Sequence, residues 1–380
     1  MEIRYQIVDL QSQYKRLKEE IDPAIQKVLN ESNFINGEQV KIFATNLAHY
    51  LGCKQVIPCA NGTDALQIAF MALGLQPGDE IIVPAFNYVA AAETAALLQL
   101  KPVFVDADPE TFNMNVSLIT EAIGPKTKAI VPVHLFGQAC EMEAIMAIAE
   151  KHNLFVIEDN AQAIGAQMTG GKYAGKMLGT IGHIGTTSFF PSKNLGCMGD
   201  GGALYTNDPT LGAVIQKIAN HGQKQKYDYE IVGTNSRLDT LQAAILNVKI
   251  AHLQEFTEAR QKAAALYDKL LSQIEGIEIP KRMAGSSHVF HQYTIKLDSE
   301  EKRNELKIYL SEKGVQAMIY YPQSLHLQTA YTYLGFSENQ FPVSNNLCTR
   351  VLSLPMHSEL KEKDVTEICE IIKEAFLVSK

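Results

Sequence analysis

A lysine, a strand-end acid and a Gly-Thr turn hold the chemistry this sequence makes possible. Lys193 stands in Thr187-Ser188-Phe189-Phe190-Pro191-Ser192-Lys193-Asn194-Leu195-Gly196, with Gly199, Gly201 and Gly202 close behind. An ammonium among apolar and small residues is partly desolvated, which lowers its pKa and makes the amine available for Schiff-base formation. A single lysine is otherwise a solvated surface charge. Here the other lysines nearby, Lys172, Lys176, Lys224 and Lys226, lie in polar or Gly-rich stretches, and Lys193 does not. The glycines after it imply backbone packed close to something bulky. Glu158-Asp159 ends the run LFVIED. A carboxylate there could hold Mg²⁺, a ribose hydroxyl or a protonated ring nitrogen, or it could cap the next helix. Asn61-Gly62-Thr63-Asp64 opens the amphipathic run ALQIAFMAL. Free N–H groups and a hydroxyl at a helix start bind phosphate, and the same residues make an ordinary N-cap.

The patterning shows the elements that must position these groups. Short apolar runs at 80–86, 101–108, 128–136, 154–160, 186–190 and 201–207 alternate with helix-period segments such as 63–73, 89–98 and 142–152. Apolar strands separated by helices predict a mostly parallel sheet covered on both faces, with reactive groups at strand carboxyl ends. Residues 1–50 read as two helices joined by NFINGEQ (33–39). After Arg237 a helical pattern runs to about residue 274, then a strand at 288–297, a helix at 299–313, a strand at 315–321 and a helix at 362–378. That order predicts a smaller C-terminal α+β domain, with the division near 245: residues 1–245, then 246–380.

Composition excludes several classes. The 380 residues are 46% hydrophobic, which rules out intrinsic disorder. A net charge of −8 argues against nucleic-acid binding but leaves room for a small anion in a local pocket. The charged N-terminal stretch lacks a signal-peptide pattern, and no apolar run suits a bilayer. Six scattered cysteines without metal spacing read as buried thiols in a reducing compartment, so the expected location is cytoplasmic, with no membrane partner and no metal site. His183 reads as a loop or supporting histidine. His134 lies at the sheet's carboxyl side, where a satisfied core histidine is the commoner case.

Taken together, a phosphate cradle, a strand-end carboxylate and a buried lysine, in that order, are what pyridoxal 5′-phosphate (PLP) needs. The stretches VDLQSQY (8–14), TSFFPSKNLGCMGDGGA (187–203), VGTNSRLDTLQAAIL (232–246) and SLPMH (353–357) resemble the DegT/StrS family of PLP-dependent sugar-nucleotide aminotransferases. The nearest subgroup aminates UDP-linked 2-acetamido-3-oxo-hexuronic acid in bacterial O-antigen and lipopolysaccharide pathways. The resemblance implies an aspartate-aminotransferase-like α/β fold (the type I PLP fold). It implies that Lys193 forms the Schiff base and then shuttles a proton, and that Asp159 pairs with the pyridine nitrogen. Gly62, Thr63 and Ser188 would hold the phosphate, Tyr88 would stack on the ring and Gln162 would lie near its 3-oxygen. Asn235 would reach the phosphate of a neighbouring subunit, which makes the expected assembly a homodimer with shared active sites. By position, Phe34, Asn36, Ser192, Arg237, Tyr320 and Tyr321 would contact the sugar nucleotide. Arg237 would counter a diphosphate or sugar carboxylate, although a local pair with Asp239 or a subunit contact explains it as well.

The implied reaction moves the amino group of L-glutamate onto a nucleotide-linked 3-keto sugar. Three residues depart from the subgroup's pattern: Tyr320 precedes Tyr321 where the uronate enzymes have His; His288-Val289-Phe290-His291 looks more like the neutral 3-keto-6-deoxyhexose enzymes; and Asn160 replaces a small residue. A dTDP-3-keto-6-deoxyhexose aminotransferase is therefore the alternative. A sugar dehydratase of the same fold would carry His in place of Lys193, and a non-catalytic regulatory homologue would keep the cofactor site without turnover.

Overall fold

The computed structural model describes residues 3–378. Seven strands form the central sheet: β1 (Gln55–Cys59), β2 (Glu80–Pro84), β3 (Lys101–Val105), β4 (Thr127–Ile130), β5 (Phe155–Asp159), β6 (Ile184–Ser188) and β7 (Gly202–Thr206). Their order is β1-β7-β6-β5-β4-β2-β3, parallel from β3 through β6, with β7 antiparallel to both of its neighbours. Ile81, Ile82, Val83, Ile130, Val156 and Ile157 are all buried because helices cover both faces, so the strands carry apolar runs rather than alternation. The parallel strands deliver their carboxyl ends to one edge of the sheet. There Cys59 and Ser188 both pair with Gly202, and Asp159 pairs with Thr186. Helix α1 (Leu10–Glu31) and helix α2 (Glu38–Leu51) pack on a later helix, Thr240–Ala251, and α3 (Gly62–Ala72) springs from the end of β1.

A second, three-stranded antiparallel sheet joins Ile277–Glu278, Tyr293–Leu297 and Val351–Leu354. It packs with Leu253–Leu271, Glu300–Glu312 and Glu362–Val378 around its own apolar cluster, which includes Tyr267, Tyr293 and Leu310. The helix Thr240–Ala251 runs through residue 245.

Several expected elements come out shorter or broken. The run 128–136 is a strand only to Ile130, since the chain turns at Leu135–Gly137 with Phe136 at φ 58°. Residues 288–292 are irregular, with Phe290 at φ 47°, and the strand starts at Tyr293. The segment 315–321 makes only isolated bridges, Tyr5 to Val315 and Met318 to Ser353, instead of a strand. The long helix expected after Arg237 breaks at His252 into Thr240–Ala251 and Leu253–Leu271. A hairpin of Gln223–Gln225 with Asp228–Tyr229, the helix Pro342–Arg350 and the strand Val351–Leu354 were not foreseen.

Candidate active site

Asp159 ends β5 and Lys193 lies in the turn that follows β6, so adjacent parallel strands bring them to one sheet edge. Desolvation lowers the Lys193 ammonium to about 8 against the pull of Asp159, and it raises the Asp159 carboxyl against its Ala161 N–H bond, Lys193 and His134. The two groups therefore bias one another's charge, Asp159 from a buried position and Lys193 from a half-buried one. Asp159 Oδ1 accepts from Ala161 N at 3.0 Å, while Oδ2 takes no described protein partner. Its neighbour Glu158 points to the other side of the sheet, as strand alternation requires. Glu158 accepts from Gly179 N, Ile181 N and Gly182 N at 2.6–2.8 Å and from His134 Nε2 at 2.9 Å. Cys140 N donates to His134 Nδ1, which places the ring proton on Nε2. His134 is thus a satisfied core histidine. His183 is a supporting one, accepting from Val156 N and packing edge-on to Phe155.

The N-terminus of α3 lies against the same edge. Asn61 caps it by accepting from Asp64 N at 2.8 Å, and the amides of Gly62 and Thr63 have no described acceptor. A Cβ on Gly62 would come within 2.7 Å of Ser188 Cβ, and one on Gly202 within 2.4 Å of the Asn61 carbonyl carbon. These contacts leave room for backbone only, with the Ser188 hydroxyl beside two free N–H donors. Such a cradle suits a phosphate. Beyond it, Gln162 Oε1 accepts from Phe136 N at 2.7 Å, which turns its Nε2 toward Tyr321 Oη at 3.1 Å. Tyr321 accepts that bond and keeps its own proton free to donate. Phe86 packs edge-on to Tyr321 at 5.9 Å, Tyr88 lies 6.4 Å from the same ring and is 56% exposed, and Tyr320 tilts at 5.8 Å. Ser192 precedes Lys193 in the turn and is half-buried.

The other expected contacts gather elsewhere. Thr240 N donates to Phe34 O, Ile35 bridges to Asp239, and Asn235 bridges to Asn220. Phe34, Asn36 and Asn235 are exposed. Arg237 makes no ion pair with Asp239 or any other described residue, and with Asn36, Lys41 and Gln216 it lines a cavity of about 280 Å³. No described hydrogen bond, ion pair or ring contact joins Phe34, Asn36, Asn235 or Arg237 to Lys193, Asp159 or Tyr321. One chain therefore gathers the expected site residues in two separate clusters.

The structure also adds residues the sequence did not flag. Asn194 Nδ2 donates to Val289 O at 3.0 Å, leaving its Oδ1 to meet His291 Nδ1 at 3.3 Å. His291, buried and kept neutral by desolvation and then by Lys193 and Arg260, thus sits beside the lysine turn. Lys193 is not the only desolvated lysine: Lys249 is 3% exposed. It falls in phase with the buried Ile245 and Leu246, and that helical phase was the missed signal. Asn160 donates to Leu178 O and Tyr205 Oη, so this departure serves the core and leaves the reactive groups alone.

With that geometry in place, likeness to known proteins is decisive. The DegT/DnrJ/EryC1/StrS aminotransferase family model matches residues 15–373. The chain belongs to this family. It is a PLP-dependent aminotransferase, and its sheet and helices form the type I PLP fold. It is 48% identical, over 97% of its length and 98% of the relative's, to a pleiotropic regulatory protein of Geobacillus stearothermophilus. It is 46% identical, over 96% and 98%, to the UDP-2-acetamido-2-deoxy-3-oxo-D-glucuronate aminotransferase of Pseudomonas aeruginosa. Among solved structures it matches S. venezuelae DesV in complex with a ketimine intermediate, with TM-score 0.94, 34% identity, and coverage of 98% of this chain and 99% of that one. The half-buried Lys193 beside the buried Asp159, with the Gly62–Ser188 cradle, fits the cofactor. No described helix is long and apolar enough to cross a membrane.

Proposed function

We propose that the chain transfers the amino group of L-glutamate to C3 of a UDP-linked 2-acetamido-3-oxo sugar or its uronic acid. The product serves bacterial surface polysaccharide, O-antigen or lipopolysaccharide, and the enzyme works in the cytoplasm as a homodimer. The observation that carries this is the placement of Lys193 and Asp159 at one sheet edge beside an anion cradle, in a chain similar over nearly its whole length to an enzyme named for such a sugar. The 48% relative's regulatory name does not displace the reading, because Lys193, Asp159 and the Gly62–Ser188 cradle support turnover.

Bound PLP supplies an electron sink conjugated to the reacting nitrogen. Gly62 N, Thr63 N and the Thr63 and Ser188 hydroxyls would hold its phosphate. The free Oδ2 of Asp159 would face its ring nitrogen, and a carboxylate there favours the protonated ring by about 1–3 pKa units. Gln162 and Tyr321 would orient the ring, and Tyr88 would cover one face. Lys193 Nζ, its pKa lowered by burial, holds more free amine near neutral pH than an ordinary lysine and can take and return a proton. The unpaired Arg237, with Asn36 and Phe34, supports nucleotide-sugar recognition at the second half-site. Asn235 beside them supports a site completed by a second copy of the chain, with Ser192 and Tyr320 lining the first half. The same reading divides the chain at 245/246, with Thr240–Ala251 bridging the two units.

Borohydride reduction of the holoenzyme followed by peptide mapping should place the adduct on Lys193; an adduct on another residue removes it from the mechanism. Glutamate should bleach the visible band, and the resulting amine form should convert UDP-2-acetamido-3-oxo sugars in a single turnover. Turnover confined to dTDP-3-keto-6-deoxyhexoses would move the substrate to the alternative class.

A further inference from the structure

The turn that carries Lys193 is gripped from beneath by one helix. Thr240–Ala251 presents Gln242 and Lys249 seven residues apart, two helical turns along one face. Gln242 Oε1 accepts from Met198 N at 2.8 Å, and its Nε2 donates to Met198 O at 3.3 Å. Lys249 Nζ donates to Gly196 O at 2.8 Å. The turn is tight at that point, since a Cβ on Gly196 would lie 2.3 Å from Pro191 O. It is closed further by Lys193 N to Phe190 O and Cys197 N to Phe189 O, both at 2.8 Å.

Lys249 stands out because no described carboxylate meets it. Burial lowers its ammonium to about 8, so folding with a lysine here works against solvation. A methionine of similar length would fill the space without burying a charge, at the smaller cost of leaving Gly196 O without this donor. Fold stability therefore gives no reason for an amine at this place, whereas the bond to Gly196 does.

We propose that Lys249 is a positioning residue for the transamination: its bond to Gly196 O holds the turn from Phe190 to Gly199 so that Lys193 Nζ stays at the sheet edge facing Asp159. This rests on the reading of Lys193 as the reacting amine. The test compares wild-type, Lys249→Met, Lys249→Arg and Gln242→Ala holoenzymes by kcat, KM, urea midpoint and the pH titration of the visible band. Lys249→Met should match or exceed wild-type stability, yet lose about tenfold or more in kcat with KM within about twofold, and its band should titrate at a shifted pH. Lys249→Arg should recover much of the loss, and Gln242→Ala should lower kcat in the same sense. A Lys249→Met enzyme with kcat within about twofold of wild type and an unmoved titration overturns the proposal. So does a Lys249→Met that fails to fold alongside a Gln242→Ala of wild-type kcat. Borohydride mapping run in parallel separates the two ideas: an adduct away from Lys193 sinks the reading of the site, and an adduct on Lys193 with unchanged kinetics sinks only the role of Lys249.

Discussion

Glu158 and Asp159 are consecutive carboxylates on one strand, and the two sides of the sheet treat them oppositely. Behind the sheet edge, Glu158 is fully buried and accepts from three backbone amides and His134, leaving no capacity for a ligand. In front, Asp159 has one backbone donor, a free oxygen and a lysine whose charge it feels. A buried polar group that is saturated builds structure; one left short of partners in a dry place is available for chemistry. The contrast assigns roles that residue type alone does not.

The comparison can be broken in graded ways. Asp159→Asn should leave the urea midpoint nearly unchanged while lowering kcat/KM roughly 10²–10³-fold, the scale on which one preorganised charge partner acts; activity within tenfold of wild type would dissolve the contrast. Glu158→Gln should do the reverse. Its new NH₂ would face donors, costing about 3 kcal/mol of stability while the folded fraction keeps its kcat, as chemical denaturation and active-site titration would show.

Lys249 sharpens the distinction through pH. Its folded pKa is about 8 against an ordinary 10.5, so between those values the unfolded chain binds the extra proton. Its penalty is full below pH 8 and disappears as pH rises toward 10.5. Lys249→Met should therefore be more stable than wild type at pH 7, by on the order of 1–3 kcal/mol. Urea titrations at rising pH should show that gap closing, and a gap independent of pH would refute the assignment. The smallest effect belongs to the Asn235 cluster: if it completes a neighbouring subunit's site as proposed, Asn235→Ala should weaken PLP retention about tenfold, the worth of one hydrogen bond to a charged group. A mixed dimer with Lys193→Ala should recover one intact site, whereas two inactive sites would exclude sharing.

Much of this was legible in one dimension. The apolar runs marked the strands of the large sheet, because strands buried on both faces must be apolar throughout. The small-residue context of Lys193 and the Gly62-Thr63 helix start marked the candidate reacting end, which the fold gathers at one sheet edge. The runs at 128–136 and 315–321 misled because apolar content also serves turns and isolated bridges whose backbone bonds run to distant segments, such as Met318 to Ser353. His291 and Lys249 were invisible as site residues: their partners, Asn194 and Gly196, lie 97 and 53 residues away along the chain.

The sequence by itself determined the fold class and singled out Lys193 and Asp159 as candidates, since local pattern and residue chemistry point to them. Only the tertiary structure decided which of two adjacent carboxylates is left open, which lysine grips the turn, and that the expected site residues fall into two separate clusters. Those depend on how many donors the packed chain brings to each atom, and no local pattern contains that count.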